Sequence, residues 1–198
     1  MKVIEASEVL GLADYEAVRE HFRARVVAEK KLRRVQIGPH VTVMFENRDT
    51  ALLQIQEMLR TERISRAAAV QHEIDTYNEL VPAEGELSCT LMIEIADKIE
   101  RDAFLNAAVG LEKHVWLVAG DERSGARSSE RGGATDRTTA VHYLKFPVMD
   151  PLAKALRAFA KGDGPAPRIA IEIDHPKYSA QAGLGLQTLL ELGRDLAA

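Results

Sequence analysis

LSCTLMIEIADKIERDAFLNAAVG, residues 87–110, is the stretch whose reading decides the fold. Its first half alternates with period two, which sets Cys89, Leu91, Ile93 and Ile95 on one face of a strand. Asp97, with Glu100 three residues on, gives a capping-box-like start to a helix carrying Ile99, Phe104, Leu105 and Ala108, and Gly110 follows its end. The same grammar recurs downstream. KHVWLVAG and TTAVHYLKFPV read as a second and a third strand. Asp150-Pro151 opens a helix whose buried side is Leu152, Ala155, Leu156 and Phe159, and Gly162 closes it. PRIAIEID is a fourth strand, with Ile169, Ile171 and Ile173 inward.

The order β-α-β-β-α-β is that of the ferredoxin-like split βαβ arrangement. The expected class is therefore α+β, with residues 86–198 forming a ferredoxin-like sandwich whose two helices cover one face of a four-stranded antiparallel sheet. A last helix is expected within 180–196, its start weakened by Gly183 and Gly185. The sheet's other face would carry Thr90, Met92, Glu94, Ala170 and Glu172, too polar to bury well. It either meets the N-terminal helices or is a working surface. Between the second and third strands, residues 120–137 are rich in glycine, serine and mixed charge and read as an inserted hairpin loop. Gly132-Gly133 is not a phosphate loop, because no GK[ST] follows it.

Residues 1–85 read as an N-terminal region packed on that sandwich. Asp14 can cap a helix in which Tyr15, Val18, Phe22 and Val26 share a face. Its other side and end are basic, through Arg19, Arg23, Arg25, Lys30, Lys31, Arg33 and Arg34, interspersed with Glu16, Glu20 and Glu29. A solvated face explains this better than an anion or RNA footprint, since no aromatics interleave. RVQIGP and HVTVMFEN form a hairpin with Val41, Val43 and Phe45 on one side and His40 at the turn. A helix pair then spans 54–82. In its first member Ala51, Ile55, Met58 and Leu59 cluster, and Glu62 joins their stripe if the helix runs past Arg60. In its second, Glu73 flanks the stripe of Ala67, Val70, Ile74 and Tyr77.

Composition narrows the class. The chain has 198 residues, 46% hydrophobic and 28% charged, with a formal charge of −4, ordinary for a globular protein and contrary to a general nucleic-acid binder. A lone cysteine, Cys89, rules out an intrachain disulfide and paired-cysteine zinc sites. No apolar run approaches the ~20 residues that span a bilayer, and the N-terminus does not read as a signal peptide. A cytoplasmic location is expected.

No catalytic motif is present: HExxH and GxSxG are missing, the central helices lack the ExxH spacing of di-iron sites, and whether the protein is an enzyme stays open. A carboxylate on an apolar stripe must be paired, protonated or bound to a cation. That reasoning makes Glu62, Glu73, His142 and His175 the candidate ligands for a divalent metal such as iron, manganese or zinc. Asp174, orienting an imidazole, and Tyr77 are their supporting residues. Against it stand ion pairs from the arginines for the two glutamates, a hydrogen-bonded core role for His142, and an Asx turn closed by Pro176 for Asp174-His175.

The segments ARVVAEKKLRRVQIGPHVTVMFEN, QIQEMLRTERI, HEIDTYNELVP, AVHYLKF and IDHPKY together resemble a bacterial family known as domain of unknown function 3501. The resemblance covers nearly the whole chain and carries no activity. Members tend to be encoded beside a rubrerythrin-like protein and an iron–sulfur protein, which implies a redox or peroxide-stress setting and makes those two the expected partners. The reading that follows is an accessory protein that binds a protein or small ligand, with a metal-dependent enzyme or metal-binding protein as the alternative and self-association left open.

Overall fold

Alternating Val, Ile and Leu positions from both halves of the chain share one core, and that sharing organises the molecule. The computed structural model describes residues 1–128 and 136–197. The elements in chain order are α1 (Leu12–Leu32), β1 (Arg34–Ile37), β2 (Val41–Glu46), α2 (Arg48–Thr61), α3 (Ala67–Asn78), β3 (Glu86–Ile93), α4 (Lys98–Ala107), β4 (Val115–Ala119), β5 (Glu122–Gly125), β6 (Arg127–Ser128), β7 (Val141–Pro147), α5 (Asp150–Lys161), β8 (Ile169–His175), β9 (Tyr178–Gly183) and α6 (Leu186–Asp195). Short 3-10 turns lie at Ala6–Glu8 and Leu111–His114.

The α+β class holds, but the expected single sheet does not. The strands form two antiparallel sheets, ordered β1-β2-β3-β7-β6 and β5-β4-β8-β9. The four strands expected to lie together are split: β3 and β7 belong to the first sheet, β4 and β8 to the second. The reason lies in the segment read as a loop insertion. Residues 122–128 are extended, with β5 on β4 and β6 on β7. At the break between them the Ala126 N–H donates to the Val115 carbonyl at 2.8 Å. One segment thus passes from one sheet to the other, where direct pairing of β4 with β7 was expected. Positions 129–135 of the expected loop lie outside the described residues.

A second difference is β9. The start of the expected last helix is instead a strand along β8, and the helix begins only at Leu186. Small outward positions permit this close antiparallel ribbon. Tyr178 anchors it: its hydroxyl donates to the Ile37 carbonyl and accepts from the His40 N–H at 3.2 Å, tying the edge of the second sheet to the hairpin of the first. Gly38, at φ +66°, fits under that hydroxyl; a Cβ there would stand 2.6 Å from it.

The inward faces meet in the main core. Val41, Val43 and Phe45 face Leu87, Cys89 and Leu91 on one side, and Val115, Leu117, Ile169, Ile171 and Ile173 fill the other. Leu156 of α5 and Leu192 of α6 join the same core. The two helices approach closely at Gly193, where a Cβ would meet the Leu156 carbonyl oxygen at 2.3 Å. The hairpin β1–β2 is part of the first sheet, since β2 pairs with β3 from Val41↔Ile93 to Glu46↔Ser88. A second core holds Ile4, Ala51, Ile55, Leu59, Ile74 and Tyr77 around α2 and α3.

Local signals place most boundaries. Asn47 caps α2 by accepting from Thr50 N–H, and Asp97 caps α4 by accepting from Glu100 N–H. Pro151 begins α5 and left-handed Gly162 ends it. One expectation fails here: the N-cap of α1 is Gly11, with Asp14 inside the first turn. Ile99 lies on α4 as read and is 82% exposed.

The polar outer face has a different fate in each sheet. In the first it lies under α2: the buried Glu46 carboxylate accepts from the Thr50 and Thr90 hydroxyls, each at 2.5 Å. In the second it faces outward. Trp116, Val118, Ala170 and Glu172 are only half-buried, and Arg123, Asp174, Ser179 and Gln181 are exposed.

Candidate functional site

The open face of the second sheet carries a connected constellation of side chains around Asp174. Alternation along β8 turns Ile169, Ile171 and Ile173 inward and Ala170, Glu172 and Asp174 outward. Register then supplies neighbours: Trp116 of β4 lies opposite Glu172, and Ser179 of β9 opposite Asp174. Arg123 reaches across from β5.

Asp174 is the hub. Its Oδ1 accepts from Trp116 Nε1 at 2.9 Å and lies 3.2 Å from His114 Nδ1, while its Oδ2 accepts from Arg123 at 2.8 Å. An ionised carboxylate only accepts, so His114 turns a protonated Nδ1 toward it. The Trp116 and Arg123 hydrogen bonds, together with that from His114, hold the Asp174 carboxyl down to about 2. Arg123 also donates to Glu172 at 2.8 Å, and its guanidinium lies 4.5 Å above the centre of the Trp116 ring. That stacking orders a long side chain that would otherwise be mobile. Gly125 leaves room for the indole; a Cβ there would come within 3.1 Å of Trp116 Cζ3.

His175, next along the strand, points the other way, as alternation requires. It is buried, its Nε2 lies 3.2 Å from the Val109 carbonyl, and its Nδ1 accepts from the Lys177 N–H. Both ring nitrogens are used. It supports the site as a wall: its ring meets that of His114 edge-on, with centroids 5.1 Å apart. Asp174 does orient an imidazole, but it is that of His114.

The other candidate ligands lie elsewhere. Helix α2 stops at Thr61, so Glu62 is its exposed C-cap residue and does not continue the apolar stripe. Glu73 is half-buried on α3, while Tyr77 is buried in the second core. His142, on β7, has its Nε2 3.1 Å from Thr138 Oγ1, and burial pushes its imidazole down. Among the described residues, no three His, Cys, Asp or Glu side chains are grouped to hold a metal ion. Glu62, Glu73, His142 and His175 therefore do not meet.

The basic residues around α1 are largely spent on carboxylates: Arg19 on Glu57, Arg25 on Asp49, Arg34 on Glu94. Arg33 is the extreme case, 1% exposed and held by Glu191 and Asp195 of α6. Its Nε lies 2.9 Å from Glu29 Oε1 without the alignment of a hydrogen bond. Burial raises the Asp195 carboxyl above its ordinary range, while Arg33 draws it back. This cluster braces α6 against α1 and offers no opening to a ligand.

The fold and the site define an α+β protein with a two-sheet core and an open face bearing a tryptophan–arginine stack over a multiply bonded aspartate. A crystal structure described as a novel protein of unknown function from Burkholderia pseudomallei K96243 has the same architecture, with a TM-score of 0.89, 34% identity, 98% of this chain covered and 100% of that one. The chain belongs to the family described as "Protein of unknown function (DUF3501)", whose model matches residues 3–196. No curated protein matches it. Sequence reading found Asp174 and His175 but missed His114, Trp116 and Arg123. Their membership depends on cross-strand register, which no local pattern encodes.

Proposed function

We propose that the protein is an accessory component of a redox or peroxide-stress system that works by holding a protein partner on the open face of its second sheet. The observation that supports this is the Trp116–Arg123–Asp174 cluster. Tryptophan and arginine dominate the energetic centres of protein interfaces, and here both are preordered, so little side-chain entropy is lost on docking. Arg123 and Asp174 are exposed on an open sheet face, which suits contact better than chemistry that must exclude water.

Charge suggests the kind of partner. Two carboxylates, Glu172 and Asp174, surround one guanidinium, leaving an excess of negative charge that favours a basic segment opposite. The rubrerythrin-like protein expected beside this family is the partner of choice, and a basic segment is what it would have to present. The metal-dependent alternative has no three-residue ligand group among the described residues to build on. A pull-down from purified components tests the proposal: the rubrerythrin-like protein should be retained at low salt by the native chain and lost with Arg123→Ala. Failure to retain it at any ionic strength removes that partner.

A further inference from the structure

The open sheet face continues past Arg123 into a groove of about 570 Å³, within the size range of small-molecule sites. Register places Val118, Ala170 and Gly183 side by side across three strands, a row with little side-chain bulk. Leu184 and Leu186 line the groove where the chain enters α6. Leu186 is 61% exposed, a large apolar side chain with little covering it.

The charge in the groove is of one sign. Arg168 is the sole charged side chain among the described residues that line it, and no ion pair or hydrogen bond of its guanidinium occurs among the described residues. The Leu184 N–H donates to the Ile169 carbonyl at 2.8 Å, which sets Arg168 beside the turn into α6. That helix starts at Gly185 with no side-chain cap, so its first N–H groups add partial positive charge at the same end. Some surface arginines of this chain are matched by carboxylates, as Arg123 and Arg34 are, and others, such as Arg23 and Arg66, are not. Arg168 is matched by none.

We propose that this groove binds an aliphatic carboxylate. The chain lies along Val118, Ala170, Gly183 and Leu186, and the carboxylate pairs with Arg168 beside the first turn of α6. The apolar row supplies non-directional affinity, and the unmatched guanidinium selects an anionic head. This site needs no protein partner and does not depend on the docking role of Trp116 and Arg123.

Titration of the full-length ¹⁵N-labelled protein with octanoate, below its micellar range, tests the proposal. Saturable amide shifts are expected at Ala170, Gly183 and Leu186. Octan-1-ol, with the same chain and no charge, should bind about tenfold more weakly, the factor one charge-assisted hydrogen bond supplies. Arg168→Gln, at an exposed position, should bring octanoate down to the octanol level, and Leu186→Gln should weaken both. Equal binding of the two probes, indifference to Arg168→Gln, or shifts confined to other surfaces would overturn the assignment.

Discussion

His114 Nδ1 lies 3.2 Å from Asp174 Oδ1, on an oxygen that also accepts from Trp116 Nε1 at 2.9 Å. One carboxylate oxygen therefore fixes an imidazole and an indole at once, and its mate fixes Arg123. The order of this face depends on a single charge.

That dependence has a measurable pH signature. The Asp174 carboxyl is held down to about 2 in the folded protein, below its ordinary value of 3.8. A depressed carboxyl contributes stability that is present above its ordinary value and lost as pH falls through the folded one. Trp116 is the sole tryptophan, so its fluorescence reports the site directly. Emission should hold from neutral pH to about 3 and shift to the red as pH falls through about 2. Asp174→Asn should show part of that shift already at pH 7. An Asn variant with native emission would show that the charge does not order the indole.

The cost of that variant in global stability should be small. The side chains of Asp174, His114 and Arg123 are more than a third exposed at the surface, where ion pairs contribute about 0–1 kcal/mol. Urea denaturation of Asp174→Asn should give a midpoint close to that of the native chain.

The Arg33 brace should behave oppositely. Removing one partner of a buried ion cluster leaves the others unpaired, which costs about 3–5 kcal/mol. Arg33→Ala should lose about that much, with α6 amides exchanging faster than those of β3. A loss below about 1 kcal/mol would mean that α6 is held by its leucines alone.

Close packing gives a further test. Gly193→Ala would place a Cβ 2.3 Å from the Leu156 carbonyl oxygen and 2.7 Å from Ala160 Cβ. Backbone cannot yield there as a flexible side chain would, so about 1–3 kcal/mol of destabilisation is expected in urea melts. An unchanged midpoint would contradict the observed α5–α6 approach.

Cys89 is fully buried, and burial pushes its thiol above the ordinary range. It should resist a thiol reagent in the native protein and react once the chain is unfolded. Rapid reaction in the native state would show that the first sheet opens.

What the sequence could show was whatever local pattern encodes. The hairpin with Val41, Val43 and Phe45 inward, the Asp150-Pro151 start of α5 and the Ile169–Ile173 alternation all appear as read. The division into two sheets was hidden because it depends on residues 122–128, whose glycine and serine content resembles that of a loop. Strand β9 was hidden by Ala180, Ala182 and Gly183, which carry no β-favouring side chains and are ordered by pairing with β8. Whether Glu62 joins the stripe stayed open in the sequence, because nothing in TERIS marks the end of α2 at Thr61, one residue before it. Asp174 was legible as a strand-end acid, yet its three partners come from β4, β5 and the turn before β4. Tertiary register alone unites them.

The central claim is that the Trp116–Arg123 face is a docking surface. Isothermal titration of the purified rubrerythrin-like protein into the native chain, Trp116→Ala and Arg123→Ala tests it most directly. Interface centres built on tryptophan and arginine cost at least about 2 kcal/mol when truncated, or some thirtyfold in affinity. The account predicts a loss of that size for both variants, with folding intact by circular dichroism. Affinity unchanged in both, or no binding by the native chain, would contradict it.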